Sequence, residues 1–371
     1  MNALQQLRSH GQSPWIDDLH RKLILDGGLQ RLIDSGVCGL TTNPAIFEKA
    51  IAQSDEYDDA IRELVRQGDS AAEVYQTLTV EDVQQAADLF RPLYDQSGAG
   101  DGFVSYEVSP KLATDTEGTC AEARELWARI DRPNVMIKVP ATNEGLPVIR
   151  QLTVEGLNIN VTLIFGLPRY KAVARAYLAG LTERAGRGES VAGIASVASF
   201  FLSRIDTLID PKLEELKKEG NERAGKLKGE VAVASAKVAY EVYKELFSTP
   251  EFEALGIHGA KPQRLLWAST GVKSPDYAAD KYIEPLIGPD TVTTMPPETL
   301  ETYREEGAPT ATLEQDSAKA HRVLTELGAL GISIDDATQQ LENEGTEKFV
   351  KPFESLMETL VKAKDEAAIQ V

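Results

Sequence analysis

The sequence contains few of the residues that form disulfides and metal sites. Only two cysteines, Cys38 and Cys120, and four histidines occur in 371 residues. Two distant cysteines provide no disulfide framework, and free thiols fit a reducing compartment. The histidines stand at positions 10, 20, 258 and 321, and their spacing resembles no set of metal ligands. We therefore expect a cytoplasmic protein that holds no metal.

Positive charge and long hydrophobic runs are also scarce. The chain has 39 Lys and Arg residues against 58 Asp and Glu, a formal net charge of −19. Such a surface repels phosphate backbones and anionic lipids, which argues against nucleic acid and membrane as partners. The longest uncharged stretch, Ser190–Ser203, is shorter than the roughly 20 apolar residues of a membrane span. The first fifteen residues lack the apolar core of a signal peptide.

Short β-branched runs alternate with longer segments of helical periodicity. Eight strands in this pattern predict an α/β fold of the (β/α)8 TIM-barrel type. The alternative is a doubly wound sheet, but this would need a glycine-rich turn after the first strand, and none is present. The predicted strands are Trp15–Leu19, Val37–Thr42, Phe103–Val108, Val135–Val139, Ile159–Leu163, Val191–Ala198, Leu265–Thr270 and Thr291–Met295.

Additional helices extend the predicted barrel in two places. Residues 210–243 are rich in Lys and Glu and predict an extended helical connection, while residues 297–371 predict a helical C-terminal annex. Charge runs of this kind are usually the solvated faces of helices. Because no linker or internal repeat interrupts the chain, we expect residues 1–371 to form one domain.

Polar residues recur on the predicted inward faces of successive strands. In the fourth strand Lys138 has the parity opposite to that of Val135, Ile137 and Val139, so it points into the barrel near the carboxyl end, where barrel active sites lie. A lysine that reaches solvent at the barrel mouth, or a structural ion pair, is the alternative. The same parity places further polar side chains inward: Asp17, Asn43, Ser105, Glu107, Asn158, Asn160 and Thr162.

A lysine among carboxylates indicates a particular chemistry. Its amine can form an imine with a carbonyl substrate, and a nearby acid or base must then remove and return water. Asp17 and Glu107 are candidates for that role. A single inward carboxylate would be explained as a hydrogen-bonded core group, but a series of polar residues at successive strand ends predicts a site.

Five segments resemble the transaldolases, class I aldolases of the pentose phosphate pathway. They are Trp15–Asp17, Thr41–Pro44, Ser105–Val108, Asn134–Thr142 and Asn158–Leu163. The resemblance implies a barrel that uses no cofactor. It also implies that Lys138 forms the Schiff base, that Asp17 is the base for carbon–carbon cleavage, and that Glu107 moves protons through a water held with Thr162. Asn43 and Asn160 would then hold substrate hydroxyls and the imine.

The resemblance weakens after the predicted sixth strand. Ser199-Phe-Phe-Leu-Ser-Arg204 is similar to the family segment whose serine lines the site and whose arginine binds the substrate phosphate, although Phe200 and Ser203 replace the usual Pro and Gly. After strand seven, many members have an arginine two residues beyond a serine. Here Ser269 is followed only by Lys273, which is either a second phosphate ligand or an exposed loop lysine.

The expected activity is transfer of a dihydroxyacetone unit from sedoheptulose 7-phosphate or fructose 6-phosphate to glyceraldehyde 3-phosphate or erythrose 4-phosphate. One alternative is a fructose 6-phosphate aldolase that releases dihydroxyacetone, although such enzymes usually have Gln and Tyr where Glu107 and Phe201 stand. Another is a catalytically silent acidic barrel that acts as a binding protein. The sequence is compatible with a monomer or a homodimer.

Overall fold

The computed structural model describes the backbone of residues 1–369 and the side chains of residues 1–365. Eight parallel strands form a closed barrel in the order of the chain. The predicted (β/α)8 fold is therefore confirmed, and the doubly wound alternative is wrong. The strands are β1 (Gln12–Asp17), β2 (Gly39–Thr41), β3 (Phe103–Glu107), β4 (Val135–Pro140), β5 (Ile159–Ile164), β6 (Ser196–Phe201), β7 (Arg264–Ala268) and β8 (Thr291–Met295).

Helices surround the barrel, and several exceed one helix per strand. Four of them, α10 to α13, lie between β6 and β7, and three, α14 to α16, follow β8. The helices are α1 (Ala3–Ser9), α2 (Arg21–Leu25), α3 (Gly28–Ser35), α4 (Pro44–Phe47), α5 (Asp58–Gln67), α6 (Ala71–Gln96), α7 (Thr116–Ile130), α8 (Gly145–Glu155), α9 (Leu167–Gly186), α10 (Ser203–Lys218), α11 (Glu222–Leu227), α12 (Val231–Phe247), α13 (Pro250–Ile257), α14 (Pro297–Glu306), α15 (Ser317–Ala329) and α16 (Ile334–Ile369). Among the described residues, no helix is both long and apolar enough to cross a membrane.

Local sequence signals explain where several helices begin. Asn2 and Ser70 form capping boxes at α1 and α6 with the side chains of Gln5 and Glu73. Asn43 caps α4, and Pro44 follows at the first position of the helix, where its missing N–H costs nothing. This cap ends β2 sharply and directs the chain away from the barrel axis.

The predicted position of the sixth strand, Val191–Ala198, is wrong. Residues 191–195 are apolar but precede β6, which begins only at Ser196. Val191, Ile194 and Ala195 are buried, and the side chain of Asn158 accepts a hydrogen bond from the backbone N–H of Ala195. This loop therefore has the apolar composition of a strand although Ala192 and Gly193 at its turn are exposed. As a consequence, Ser199 lies within β6 and not after it.

Leu163 departs from the alternation expected for the fifth strand. Its φ is +62°, and the register of β5 with β6 shifts between Val161 and Ile164. Strict alternation predicts that Leu163 shares a face with Ile159 and Val161, and the bulge interrupts this alternation at Leu163. A Cβ added at Gly345 of α16 would lie 3.2 Å from Leu163 Cδ2, so the leucine packs directly against that helix.

A large aromatic side chain fills the barrel below the polar residues. Trp15 of β1 is fully buried, and a Cβ added at Gly39 of β2 would lie 2.6 Å from its Cε2 atom and 2.7 Å from the carbonyl oxygen of Phe103. Only glycine fits at position 39 without moving either group. The indole thus closes the barrel beneath Asp17 and leaves a site at the carboxyl ends of the strands.

Two buried carboxylates anchor α10 to its neighbours. Asp206 accepts hydrogen bonds from the backbone N–H of Ala232 at 2.9 Å and from the Tyr282 hydroxyl at 2.9 Å. Asp210 accepts from the backbone N–H of Gly229 and from the Tyr277 hydroxyl. Burial raises the pKa of Asp206 from 3.8 to about 6, although these hydrogen bonds lower it.

We expect Asp206→Asn to change how stability depends on pH. Because the folded pKa exceeds the unfolded one, the contribution of Asp206 to stability is complete below pH 3.8 and is lost as the pH rises through about 6. Denaturant unfolding measures the free energy of unfolding of both proteins. Between pH 3.5 and 7.5, the value for the wild type should fall by roughly 3 kcal/mol relative to the value for the variant. A constant difference across this range would contradict the assignment.

Candidate active site

Strand register brings the predicted polar residues together. In the barrel, Lys138 of β4 is the Cα partner of Glu107 on β3 and of Asn160 on β5. Asp17 is likewise the partner of Thr41. Glu107, Lys138 and Asn160 therefore lie in one row of the sheet, and Asp17 and Thr41 lie in the row of Ser105, two residues before Glu107 on β3.

Lys138 ends in a buried ion pair. Its Nζ lies 2.9 Å from Oε2 of Glu107 and donates a hydrogen bond of 3.0 Å to the carbonyl oxygen of Thr42. The side chains of Lys138 and Glu107 are only 5% and 6% exposed. The amine therefore does not reach solvent at the barrel mouth, which excludes the first alternative interpretation of this lysine. A buried charge of this kind is stable only because it is paired.

Burial and the charge of Lys138 have opposite effects on the pKa of both nearby carboxylates, Glu107 and Asp17. Burial raises the pKa of Glu107, the charge of Lys138 lowers it, and the charge of Asp17 raises it. Burial also raises the pKa of Asp17, while Lys138, a hydrogen bond from Thr41 and the charge of Lys273 lower it. The Thr41 hydroxyl donates to Oδ1 of Asp17 at 2.7 Å. The net effect is that the pKa of each acid lies above its usual value, with burial as the largest cause.

Hydrogen bonds fix the orientation of Asn160. Its Nδ2 donates to the Ser105 hydroxyl at 3.0 Å, and its Oδ1 accepts from the Ser199 hydroxyl at 2.7 Å. All three residues are buried. Ser199 thus holds the amide of Asn160 in one orientation beside Lys138.

Thr162 and Asn43 differ in how their side chains are hydrogen-bonded. The Oγ1 atom of Thr162 is buried, and no side chain or backbone group in the described part of the chain bonds to it. Asn43 is half-buried, and its Oδ1 accepts the backbone N–H groups of Ala45 and Ile46 at the start of α4. The helix cap therefore uses the side-chain oxygen of Asn43. The side-chain NH2 group of Asn43 is the part that can bind a ligand.

Arg204 lies between two aromatic rings. Its Cζ is 5.6 Å from the centroid of the Phe201 ring and 5.9 Å from that of Phe349. Its Nη1 is buried without a hydrogen-bond partner among residues 1–365. Burial lowers the pKa of Arg204, and the charge of Glu344 opposes this effect. A half-buried guanidinium whose buried Nη1 donor is unused is suited to bind an anion.

Ser269 and Lys273 follow β7 in different environments. Ser269 has a φ of +53°, its carbonyl oxygen accepts the backbone N–H of Ser203, and its hydroxyl lies 2.9 Å from the Ser203 hydroxyl. It therefore supports the turn that begins α10, next to Arg204. Lys273 is exposed, and its charge reaches Asp17.

No motif in the sequence indicates that α16 contributes to the site. This helix packs against α4, α5, α6, α10 and β5, and so lies across the carboxyl ends of the strands. The Phe349 ring centroid is 5.7 Å from Lys138 Nζ. A phenylalanine in an amphipathic helix normally predicts core packing, and no pattern in the sequence distinguishes it from one that covers a site.

These residues together form an enclosed amine next to two carboxylates, with an unpaired guanidinium nearby. Such an arrangement can attack a carbonyl group, exchange protons with the adduct and bind an anionic group of the same molecule.

Comparisons with known proteins identify one family over nearly the whole chain. The family model described as Transaldolase/Fructose-6-phosphate aldolase matches residues 14–360. A protein named transaldolase from Saccharopolyspora erythraea is 46% identical over 368 residues, which cover 98% of each chain. A transaldolase from Thermobifida fusca is 45% identical, and the match covers 96% of this chain and 97% of the relative. A transaldolase from Thiobacillus denitrificans is 43% identical, and the match covers 96% of this chain and 99% of the relative.

Proposed function

This chain belongs to the transaldolase/fructose-6-phosphate aldolase family, and on that premise we propose that it is a transaldolase whose Schiff base forms on Lys138. The enzyme would transfer a dihydroxyacetone unit from sedoheptulose 7-phosphate or fructose 6-phosphate to glyceraldehyde 3-phosphate or erythrose 4-phosphate. The observation that carries this assignment is the buried Lys138–Glu107 pair. We expect the reaction to take place in the cytoplasm, where the thiols of Cys38 and Cys120 remain free.

The first step is addition of the Lys138 amine to the C2 carbonyl of the ketose. Glu107 lies 2.9 Å from the amine and can accept its proton. It then returns a proton so that the C2 hydroxyl leaves as water and the imine forms. The buried hydroxyl of Thr162 supports this step because it can hold the water through which Glu107 acts.

The second step is cleavage of the bond between C3 and C4. Asp17 takes the proton of the C4 hydroxyl, the bond breaks, and its electron pair forms an enamine with the imine as electron sink. The aldose then leaves, and the enamine attacks the acceptor aldehyde by the reverse sequence. Thr41 orients Asp17 for this role through its 2.7 Å hydrogen bond. Asn160 is the strand partner of Lys138, and we propose that its amide contacts the imine.

Arg204 is the residue we propose for the substrate phosphate. Its buried Nη1 atom and its position between two rings support a charge-assisted contact. Lys273 would contribute less, because it is an exposed ammonium at the edge of the mouth. Asn43 would use its amide group to bind a substrate hydroxyl.

The aldolase that releases dihydroxyacetone is the closest alternative, since the family includes both activities. Glu107 and Phe201 favour transfer, because the small aldolases usually have Gln and Tyr there. A catalytically silent barrel is not favoured, since Lys138, Asp17 and Glu107 are all present and adjacent.

The assignment of Lys138 is tested by Lys138→Ala. We expect this variant to remain folded and to lose both transfer and borohydride-dependent labelling with fructose 6-phosphate, because no other amine forms the imine. Mass mapping of the labelled wild-type chain should identify Lys138. Labelling at another lysine, or undiminished labelling in the variant, would contradict the assignment.

Asp17→Asn and Glu107→Gln should slow different steps. We expect Asp17→Asn to form the imine but to cleave about 10²–10⁴-fold more slowly, since the C4 hydroxyl loses its base. Glu107→Gln should slow imine formation and hydrolysis instead. Rapid-quench borohydride trapping measures imine accumulation in each variant, and equal accumulation in both would show that the division of roles is wrong.

The phosphate contact is tested by Arg204→Ala and Lys273→Ala. Arg204→Ala should lower kcat/KM for phosphorylated substrates by a factor that corresponds to about 1.5–3 kcal/mol, and Lys273→Ala should lower it by less. Free fructose is the control, because it has no phosphate to lose. Should both variants lose as much relative activity on fructose as on fructose 6-phosphate, the phosphate binds elsewhere.

A further inference from the structure

Phe349 is the residue of α16 that reaches both ends of the candidate site. Its ring centroid lies 5.7 Å from Lys138 Nζ and 5.9 Å from Arg204 Cζ. The side chain is 6% exposed. Under the proposed function, these two cations bind the reacting carbon and the phosphate of one substrate, so the ring lies above the carbon chain that joins them.

Contacts just before Phe349 hold this part of α16 in place. Glu342 accepts two hydrogen bonds from the guanidinium of Arg169 in α9, at 2.9 and 3.0 Å, and both side chains are nearly buried. On the next turn, Gly345 allows α16 to approach Leu163 and Phe165 at the end of β5. The helix is therefore fixed to the barrel rim just before Phe349, and this aromatic side chain covers the amine.

We propose that Phe349 excludes water from the enamine on Lys138 and thereby sets the ratio of transfer to hydrolysis. This inference rests on the proposed function and adds a residue that determines its outcome. Closing a site with an apolar group prevents side reactions of a reactive intermediate. The face of the ring is also attractive to a cationic amine or iminium at this distance, while it offers no acidic proton to the enamine carbon.

The reaction that Phe349 suppresses consumes the intermediate without transfer. The enamine carbon takes a proton from solvent, and the product is the iminium of dihydroxyacetone on Lys138. Water then adds to the iminium carbon, the carbon–nitrogen bond breaks, and dihydroxyacetone leaves with the oxygen of that water. The lysine amine is regenerated, so the net result is aldolase activity.

Phe349→Ala should therefore divert the enzyme toward release. With fructose 6-phosphate as donor and erythrose 4-phosphate as acceptor, the measured quantity is free dihydroxyacetone formed per sedoheptulose 7-phosphate. We expect this ratio to rise by about tenfold, which is the effect of a difference of about 1.4 kcal/mol between two barriers. Phe349→Leu keeps an apolar side chain of similar size and should give a smaller rise.

Leu356→Ala is the matched control. Leu356 is fully buried on the same helix, and it lies seven residues, or about 10 Å, beyond Phe349 on the same face. Its truncation should loosen the packing of α16, since large-to-small changes of buried residues generally destabilise. The ratio of release to transfer should nevertheless remain at the wild-type value.

The outcomes separate this inference from the proposed function. A raised ratio in Phe349→Ala and Phe349→Leu with an unchanged ratio in Leu356→Ala supports the role of Phe349. Unchanged ratios in both Phe349 variants, or an equal rise in all three variants, would overturn it. If Phe349→Ala does not fold, the leucine variant alone decides in the same way. Failure of the proposed function would appear separately, as absence of substrate-dependent borohydride labelling in the wild type.

Discussion

The ion pair between Lys138 and Glu107 is the interaction on which the site depends. Removing two charges from water is costly, and the cost is offset only by close pairing and further hydrogen bonds. The barrel supplies these through the register of β3 with β4 and through the carbonyl oxygen of Thr42. The pair places an amine and a proton acceptor 2.9 Å apart in a protein whose formal net charge is −19.

The barrel and the centre of the site could be predicted from sequence because both depend on local patterns. Alternation along a strand determines which side chains point inward, and the chain order of a parallel barrel determines which strands are neighbours. Lys138, Glu107 and Asn160 followed from these two rules. The same alternation placed Asp17 and Asn43 on inward faces, while the resemblance to transaldolases added Arg204 and the role that we propose for each residue.

The sequence-based predictions were wrong or incomplete at residues whose contacts lie far away in the sequence. The apolar loop before β6 resembles a strand because Val191, Ile194 and Ala195 are buried, and composition alone does not separate such a loop from a strand. A bulge interrupts the expected alternation at Leu163, which packs against Gly345, far away in sequence. Phe349 was missed for the same reason: an amphipathic helix shows which face is buried but not what that face covers.

The position of Arg204 links ligand binding to the stability of the whole fold. A cation in the first turn of α10 opposes the helix dipole, and its buried Nη1 lacks a protein partner among the described residues. The empty protein therefore carries local electrostatic frustration at the barrel mouth. An anion bound there relieves it, and any ligand that binds only the folded state shifts the unfolding equilibrium by mass action. Under the proposed function, a bound sugar phosphate would therefore raise the free energy of unfolding of this chain.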